Sequence, residues 1–218
     1  MAAATRSIQS VPNPASVNPA ATGPEGLAAG LRYVAACAAA RVLTGELEEA
    51  TTRIVSLVAA VKNYSYLDQA PRQTVVIQEG LESTLALLAH KLRAKQIEVV
   101  RDFDPDLPTV EASGSELNQV WTNLIDNAID AVDDRGRVTV RTRKEGQRIC
   151  VEVCDNGAGI PPELKTRVFD AFFTTKPVGQ GTGLGLDIAQ RIVVRDHGEL
   201  RLDSQPGETR FQVLLPVD

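Results

Sequence analysis

The feature that most constrains this chain is the segment Ser113–Val132, in which apolar and polar residues separate onto two sides of a predicted helix. Ser113 is followed three residues later by Glu116, and this capping box predicts that the helix begins there. At about 3.6 residues per turn one side is apolar, which is typical of a helix packed against a core. The apolar side contains Leu117, Val120, Trp121, Leu124, Ile125, Ala128, Ala131 and Val132.

A second stripe, made of polar residues, runs along the neighbouring edge of the same helix. It contains Glu116, Gln119, Asn123, Asn127 and Asp130, with no cation among them. Asn is a poor residue for a helix interior because its side chain competes with the backbone for hydrogen bonds. Two hypotheses explain the stripe, and the helix alone does not decide between them. It is either an ordinary polar edge or a row of oxygen ligands that faces a metal and a phosphate chain.

The composition argues against one class of partner. With 218 residues the chain has room for one or two domains with a proper core, and its 23% of charged residues is ordinary. The net charge of −5, without any run of Lys or Arg, gives no support to nucleic-acid binding.

The cysteines and the N-terminus predict a cytoplasmic location. Cys37, Cys150 and Cys154 form no C-x-x-C pair and indicate buried thiols in a reducing compartment. The N-terminal sequence lacks the apolar core of a signal peptide. The apolar run Tyr33–Ala40 is too short to cross a bilayer, so we expect no membrane span.

The first third of the chain is predicted to hold a tail and a helical segment. Residues 1–24 are rich in Pro, Ala, Ser and Asn, which predicts disorder. Residues 25–70 are predicted to be helical, with an Ala-rich helix over Gly26–Thr44 that Gly45 interrupts. In Glu46–Leu67 apolar residues recur at spacings of 3 and 4, as in a coiled-coil seam. We expect this helix to dimerise; packing on the following domain is the alternative.

The remaining residues, 72–218, alternate between strand and helix patterns and predict an α+β domain with helices over one face of a mixed sheet. Antiparallel pairs are predicted to turn at Lys144–Gln147 and at Pro206–Gly207. The predicted strands are Gln73–Ile77, Ile97–Phe103, Val138–Arg143, Arg148–Asp155, Leu200–Leu202 and Arg210–Leu215, and the further helices are Gln78–Ala94 and Gly183–Arg195.

Two glycine clusters carry chemistry. Asp155–Ile160 follows a strand directly. Its glycines would allow the backbone to approach a flat ligand, and Asp155 at the strand end can accept a hydrogen bond from an exocyclic amine. Gly179–Leu186 has alternate glycines that lead into a helix, where backbone N–H groups and the helix dipole favour phosphate. It fits neither a Walker A loop nor the G-x-G-x-x-G fingerprint. An ordinary turn and a purely mechanical loop are the alternatives.

A Phe-rich segment, Phe169–Pro177, lies between the two glycine clusters. It holds Phe169, Phe172 and Phe173, three of the five phenylalanines of the chain, and these are predicted to anchor the segment to the core. Lys176 is the best-placed cation for a phosphate chain, and Lys165 and Arg167 are lesser candidates. A solvated surface lysine is the alternative interpretation of Lys176.

In combination these motifs resemble the ATP-binding catalytic domain of sensor histidine kinases, which shares the Bergerat-type fold with gyrase-like ATPases. The resemblance covers Arg72–Asp218 and extends to Asp196-His197-Gly198 and to Gly207–Phe211. It implies a two-layer α/β sandwich preceded by a helical dimerisation segment, with ATP and Mg²⁺ as ligands. Mg²⁺ also suits a site with few protein oxygens beside phosphates.

The resemblance also implies roles for individual residues. Asn127 would bind Mg²⁺ and Asn123 would lie near the metal or the phosphates, where gyrase-like ATPases carry a water-activating Glu. Many kinases carry Lys or Arg at the position of Asp130. The segment between Pro161 and Thr182 would be the ATP lid, and Asn123 and Lys176 are assigned to catalysis. The nucleotide-binding set is Asn123, Asn127, Asp130, Asp155, Gly157, Gly159, Ile160, Phe172, Lys176, Gly181, Thr182, Gly183, Leu184, Gly185, Leu186 and Thr209.

A histidine kinase of this kind also needs an acceptor histidine on the first helix of a dimerisation hairpin. The two histidines are His90, predicted to be structural, and His197, predicted to cap a helix. We therefore expect no autophosphorylation within this chain. The favoured function is phosphorylation of a histidine on an H-box-bearing partner or a missing helix, upstream of a response regulator. The alternatives are a catalytically silent ATP-binding module that regulates kinases, and a slow ATPase or anti-sigma-type serine kinase.

Overall fold

The computed structural model describes residues 28, 30–45, 47, 50, 51, 72–177 and 181–217, in two units that comprise residues 1–51 and 52–218. In the first unit helix α1 covers residues 30–45, all with exposed side chains. Gly45 is itself helical, so the predicted interruption is wrong there: one glycine costs a helix only about 1 kcal/mol. The predicted tail and most of Glu46–Leu67 lie outside the described residues.

The second unit has the predicted α+β composition. Its elements are β1 (Gln73–Val75), α2 (Ile77–Leu87), α3 (Ala89–Ala94), β2 (Glu98–Phe103), β3 (Val110–Ala112), α4 (Gly114–Ala131), β4 (Arg137–Glu145), β5 (Arg148–Asp155), α5 (Gly185–Arg195), β6 (Glu199–Gln205) and β7 (Glu208–Pro216). Two 3₁₀ turns, Pro162–Leu164 and Arg167–Phe169, lie between β5 and α5. None of the helices in this described part of the chain combines the length and apolarity that a transmembrane span requires.

One five-stranded mixed sheet forms one of the two layers. Its strand order is β2-β4-β5-β7-β6, in which only β2 and β4 are parallel, while β1 and β3 form a separate antiparallel pair. The core lies between this sheet and the helices. It includes the fully buried Leu81, Leu117, Leu124 and Ile125 from the helices and Val138, Val140, Ile149, Val151 and Val213 from the strands. The predicted two-layer sandwich is confirmed.

The N-terminal part of this unit departs from the predicted element boundaries. The first strand ends at Val75, and Ile77, predicted to be its last residue, begins α2 and is 1% exposed. The predicted helix Gln78–Ala94 is broken at Leu88, whose φ of −86° and ψ of 1° leave the helical region. A β-branched run favours a strand locally, but burial of Ile77 against the core favours the helix. The short strand β3 is not predicted at all.

Helix α4 begins and ends at side chains that satisfy its free backbone groups. Ser113 Oγ accepts a hydrogen bond from the Glu116 N–H at 3.4 Å, so the predicted cap is confirmed. At the other end Lys95 Nζ donates to the carbonyl oxygens of Ile129 and Val132, both at 2.9 Å. A cation at a helix C-terminus is also favoured by the helix dipole. These contacts fix the last turn of α4, where Ala131 is exposed, contrary to prediction.

All three cysteines are free thiols. Cys150 and Cys154 are buried in β5, and burial raises the pKa of Cys150 to about 11 and that of Cys154 to about 12. Cys37 lies on α1 and is exposed, so the prediction of a buried thiol is wrong for this residue. Its neighbours in α1 are exposed as well.

Candidate functional site

The polar edge of α4 begins with residues that hold helices together. Glu116 is 9% exposed and pairs with Arg195 of α5. Asn123 Nδ2 donates to the carbonyl oxygen of Gly185 at 2.8 Å, and Asn123 Oδ1 accepts from Gln119 Nε2 at 3.1 Å. The Asn123 amide therefore ties α4 to the first residue of α5. At Glu116 the polar stripe therefore contributes to the packing of α4 against α5.

Further along the same edge, two oxygens hold one cation. Lys176 Nζ lies 3.3 Å from Asn127 Oδ1 and 2.5 Å from Asp130 Oδ2. All three side chains are partly exposed to solvent. The structure thus brings together three of the residues predicted for the site. The oxygens of Asn127 and Asp130, near the end of α4, therefore form a position that binds a cation.

The first glycine turn packs against the end of α4. Asp155, at the end of β5, is 5% exposed and accepts a hydrogen bond from the Gly157 N–H at 2.9 Å. Burial raises the pKa of Asp155 to about 6, although the Gly157 N–H favours the charged form. A Cβ atom at Gly157 would lie 2.3 Å from the carbonyl oxygen of Ala131. This position needs glycine because the two backbones touch.

A buried hydroxyl network fixes the other side of this turn. Thr209 lies opposite Asp155 in the β5–β7 ladder. Ser204 Oγ accepts a hydrogen bond from the Ile160 N–H at 2.8 Å and lies 2.9 Å from Thr209 Oγ1. Sequence reasoning missed Ser204, although the alternation of β6 places it on the same face as the inward-facing Leu202.

We expect Ser204→Ala to lower the free energy of unfolding by about 1–2 kcal/mol, because it leaves the Ile160 N–H without its acceptor. Thermal or urea denaturation measures this loss. Asp203→Ala is the matched control, because Asp203 is the exposed preceding residue of the same strand. Equal stability of the two variants would show that the network contributes nothing.

The second glycine cluster touches the Phe-rich segment and leads into α5. Gly183 has a φ of +67°, and a Cβ atom there would lie 2.4 Å from the carbonyl carbon of Phe172. Thr182 Oγ1 accepts a hydrogen bond from the Leu184 N–H at 3.3 Å. Leu184 is buried and precedes Gly185, and Leu186 packs against the core. Residues 178–180 lie outside the described part of this loop.

Of the three predicted phenylalanine anchors, Phe169 packs against the core, whereas Phe173 contacts Arg167 of the neighbouring 3₁₀ turn. The Phe169 ring packs edge-on against Phe211, with ring centroids 6.4 Å apart, and the Arg167 guanidinium lies 4.5 Å above the Phe173 ring. Phe172 is 69% exposed with a φ of +68°, so it does not act as an anchor. Its backbone turns sharply where it meets Gly183, and this turn directs the ring into solvent.

The other candidate cations and His197 have structural positions, whereas His90, predicted to be structural, is exposed. Arg167 packs on Phe173 as described above, and Lys165 Nζ donates to the carbonyl oxygen of Ser204 at 2.5 Å. His197, two residues after the end of α5, has a φ of +57°, and the following N–H, of Gly198, donates to the Val193 carbonyl oxygen at 2.8 Å. This Schellman motif confirms the cap predicted for His197. His90 is exposed on α3, with Nδ1 3.3 Å from the Leu87 carbonyl oxygen.

Both glycine turns therefore contact one edge of α4. Gly185 meets α4 at Asn123 and Gly157 meets it at Ala131, eight residues and about 12 Å along the helix. Lys176 binds between them, at Asn127 and Asp130. The arrangement combines an acceptor for an amine, a cation position and the N-terminus of α5, which are the chemical requirements of a metal-bound nucleotide.

Comparison with known proteins identifies the family of this chain. Residues 112–218 match the family model described as histidine kinase-, DNA gyrase B-, and HSP90-like ATPase. The sensory histidine kinase/phosphatase NtrB of Rhizobium leguminosarum bv. phaseoli is 35% identical over 193 residues, which are 81% of this chain and 50% of NtrB. The chain thus spans about half the length of this relative and 47% of NtrB from Azospirillum brasilense.

Solved structures with the same fold include histidine kinase catalytic domains. The catalytic domain of histidine kinase ThkA is 30% identical, with a TM-score of 0.62 over 66% of this chain and 95% of the domain. Histidine kinase ThkA in complex with the response regulator protein TrrA is 25% identical, with a TM-score of 0.64 over 77% of this chain and 49% of that one.

Proposed function

The chain belongs to the histidine kinase-, DNA gyrase B- and HSP90-like ATPase family, with an ATP-binding histidine kinase catalytic domain, and on this premise we propose that it transfers the γ-phosphate of Mg-ATP to a histidine. The observation that supports this most is the meeting of both glycine turns on one edge of α4, at Asn123 and Ala131. A nucleotide bound there would span the distance between Asp155 and the N-terminus of α5.

The base would bind at Asp155. Only the Gly157 N–H donates to this carboxylate among the described residues, so it retains acceptor capacity for the exocyclic amine of adenine. Thr209 lies opposite in the ladder, and Gly157 and Gly159 shape the turn. Gly159 has a φ of +81°, and a Cβ atom there would lie 2.7 Å from the Gln205 carbonyl oxygen. This position therefore needs glycine because the turn packs against the backbone that joins β6 to β7.

The phosphates and Mg²⁺ would bind between α4 and α5. The donor set fits Mg²⁺, since Asn127 Oδ1 already faces a cation, the Lys176 ammonium, at 3.3 Å. When bound, Mg²⁺ would neutralise charge on the β- and γ-phosphates. Backbone N–H groups of Gly181–Gly185 and the positive end of α5 would hold the phosphate oxygens, and Lys176 would add a positive charge. Asn123 would keep α5 in register with α4.

The chemistry of Asn123 supports transfer to a side chain over hydrolysis. An amide cannot take a proton from water, so this position does not supply the general base that a carboxylate would. During transfer the bond between the γ-phosphorus and the β–γ bridging oxygen breaks as a bond to an imidazole nitrogen forms. His197 caps α5 and His90 is on the surface of α3. We therefore propose an acceptor on a partner or on another helix, with a response regulator downstream.

These positions of His90 and His197 also support the second candidate, a silent ATP-binding module that pairs with kinases. Incubation with γ-³²P-ATP and Mg²⁺, with and without an H-box-bearing kinase fragment, separates the two. Acid-labile label on the fragment, dependent on this chain, is the expected result. ATP binding without transfer to any fragment would favour the silent module, and absence of ATP binding would contradict both.

We also propose that the chain dimerises through Glu46–Leu67 and works in the cytoplasm. The coiled-coil spacing supports the first statement, and three thiols without a disulfide support the second.

A further inference from the structure

We propose that Asp130 is a second oxygen ligand of the metal, beside Asn127, and that Lys176 occupies this cation position when no metal is bound. The inference rests on the proposed function, since it concerns the metal of the same Mg-nucleotide. It gives a role to a carboxylate at a position where many kinases carry Lys or Arg. Coordination by Asp130 would be direct or through one of the waters that Mg²⁺ retains.

The geometry shows that one cation reaches both oxygens. Asn127 and Asp130 are three residues apart on α4, so their side chains lie on the same side of the helix. The single Lys176 Nζ atom lies 3.3 Å from Asn127 Oδ1 and 2.5 Å from Asp130 Oδ2. A position between these two oxygens is therefore available to a positive ion. Phosphate oxygens and water would complete the preferred octahedral shell of Mg²⁺.

Electrostatics explains why a carboxylate here needs a cation. Asp130 lies in the last turn of α4, where the helix dipole disfavours a negative charge, and that turn has no basic residue of its own. It would also face the triphosphate, which is an anion. Both interactions are unfavourable unless a positive charge lies between the groups. Lys176 supplies that charge in the structure, and the metal would supply it in the loaded protein.

Lys176 and the metal exclude each other from this position. An ammonium group and Mg²⁺ cannot share the same two oxygens, because like charges repel at this distance. When the metal arrives, Lys176 would move to the phosphate oxygens. The predicted lid, which carries Lys176, would then be held by the nucleotide instead of by α4.

The next aspartate of the helix provides a matched control. Asp126 lies one turn before Asp130 on α4 and pairs with Lys91 of α3 at 2.6 Å. It therefore binds a lysine as Asp130 does, but its lysine comes from α3 and not from the Phe-rich segment. Asp126→Asn and Asp130→Asn change the same charge by the same chemistry.

The test measures metal and nucleotide binding, without catalysis. Mn²⁺ is titrated into the full chain with ADP and followed by electron paramagnetic resonance, and ATP affinity is measured in EDTA by calorimetry. We expect Asp130→Asn to raise the Mn²⁺ concentration for half-saturation on the order of tenfold, and to leave metal-free ATP affinity unchanged or higher. Asp126→Asn should match the wild type in both. Lys176→Met should bind Mn²⁺ at least as tightly as the wild type.

Two results would overturn the inference. If Asp130→Asn binds Mn²⁺ like the wild type, the carboxylate is not a ligand. If it binds ATP more tightly by the same factor with and without metal, Asp130 only restrains Lys176. If the wild-type chain binds no nucleotide at any metal concentration, the proposed function itself is wrong. This result differs from the two above, in which the wild type still binds the nucleotide.

Discussion

Replacing Asp155 by Asn will weaken ATP binding on the order of 100-fold and will stabilise the nucleotide-free protein above pH 6. The loss of affinity has a simple cause: an Asn side chain can present an N–H to the adenine amine, so that a donor faces a donor. A buried polar group left in this way costs about 3 kcal/mol, which corresponds to roughly that factor.

The gain in stability follows from the pKa of Asp155. Burial raises it from an ordinary value of 3.8 to about 6, so folding disfavours the charged form. Above pH 6 the charged Asp155 lowers the free energy of unfolding. This loss disappears as the pH falls from 6 towards 4, because in this range the folded protein binds a proton at Asp155 that the unfolded chain does not. Its full size is about 3 kcal/mol. Asn carries no charge, so the variant should lack this pH dependence.

Urea denaturation at pH 5 and pH 8, with calorimetry of ATP binding at pH 8, tests both effects in one variant. Asp203→Asn is the control, because Asp203 is an exposed residue of β6. If Asp155→Asn binds ATP with the affinity of the wild type, Asp155 does not bind the adenine base. In the wild type, ATP affinity should also fall as the pH drops through about 6, because protonation removes an acceptor.

Replacing Asn127 by Ala will lower Mg-ATP affinity, also on the order of 100-fold, with little change in stability. The variant removes the proposed metal ligand. Among the described residues, the only side-chain hydrogen bond of Asn127 is the one to Lys176, at 3.3 Å. Ala is also the better helix former, which offsets part of any loss.

Asn118→Ala is the matched control for this variant. Asn118 is an exposed residue of the same helix, so the two variants share the change in helix propensity. Calorimetry with Mg-ATP and thermal denaturation by circular dichroism give both quantities. Mg-ATP affinity in Asn127→Ala equal to that of Asn118→Ala would show that the metal binds elsewhere.

Local patterns predicted the parts of this molecule that local interactions determine. The Ser113 cap lies within one turn of the Glu116 N–H that it accepts from, and the hairpin turn around Gly146 joins neighbouring strands. The buried leucines of α2 and α3 follow from periodicity alone. The two glycine clusters were found because a close contact between two backbones requires glycine. A Cβ atom at Gly157 or Gly183 would lie within 2.4 Å of another backbone atom.

The remainder depends on contacts between residues distant in sequence. Lys95 reaches the end of α4 across more than 30 residues, and Lys176 reaches Asp130 across 46. Nothing near either lysine in the sequence identifies its partner. Ser204 contacts both Ile160, 44 residues away in the sequence, and Thr209. Strand β3 is three residues long and exists because β1 pairs with it.

The contrast between the cysteines gives this protein a practical use. The thiols of Cys150 and Cys154 have pKa values of about 11 and 12, so at neutral pH they remain protonated and unreactive inside the sheet. Cys37 is exposed. A maleimide dye should therefore attach at a single site on the N-terminal helix of the unmodified chain, and fluorescence could follow that helix while the catalytic half stays chemically untouched.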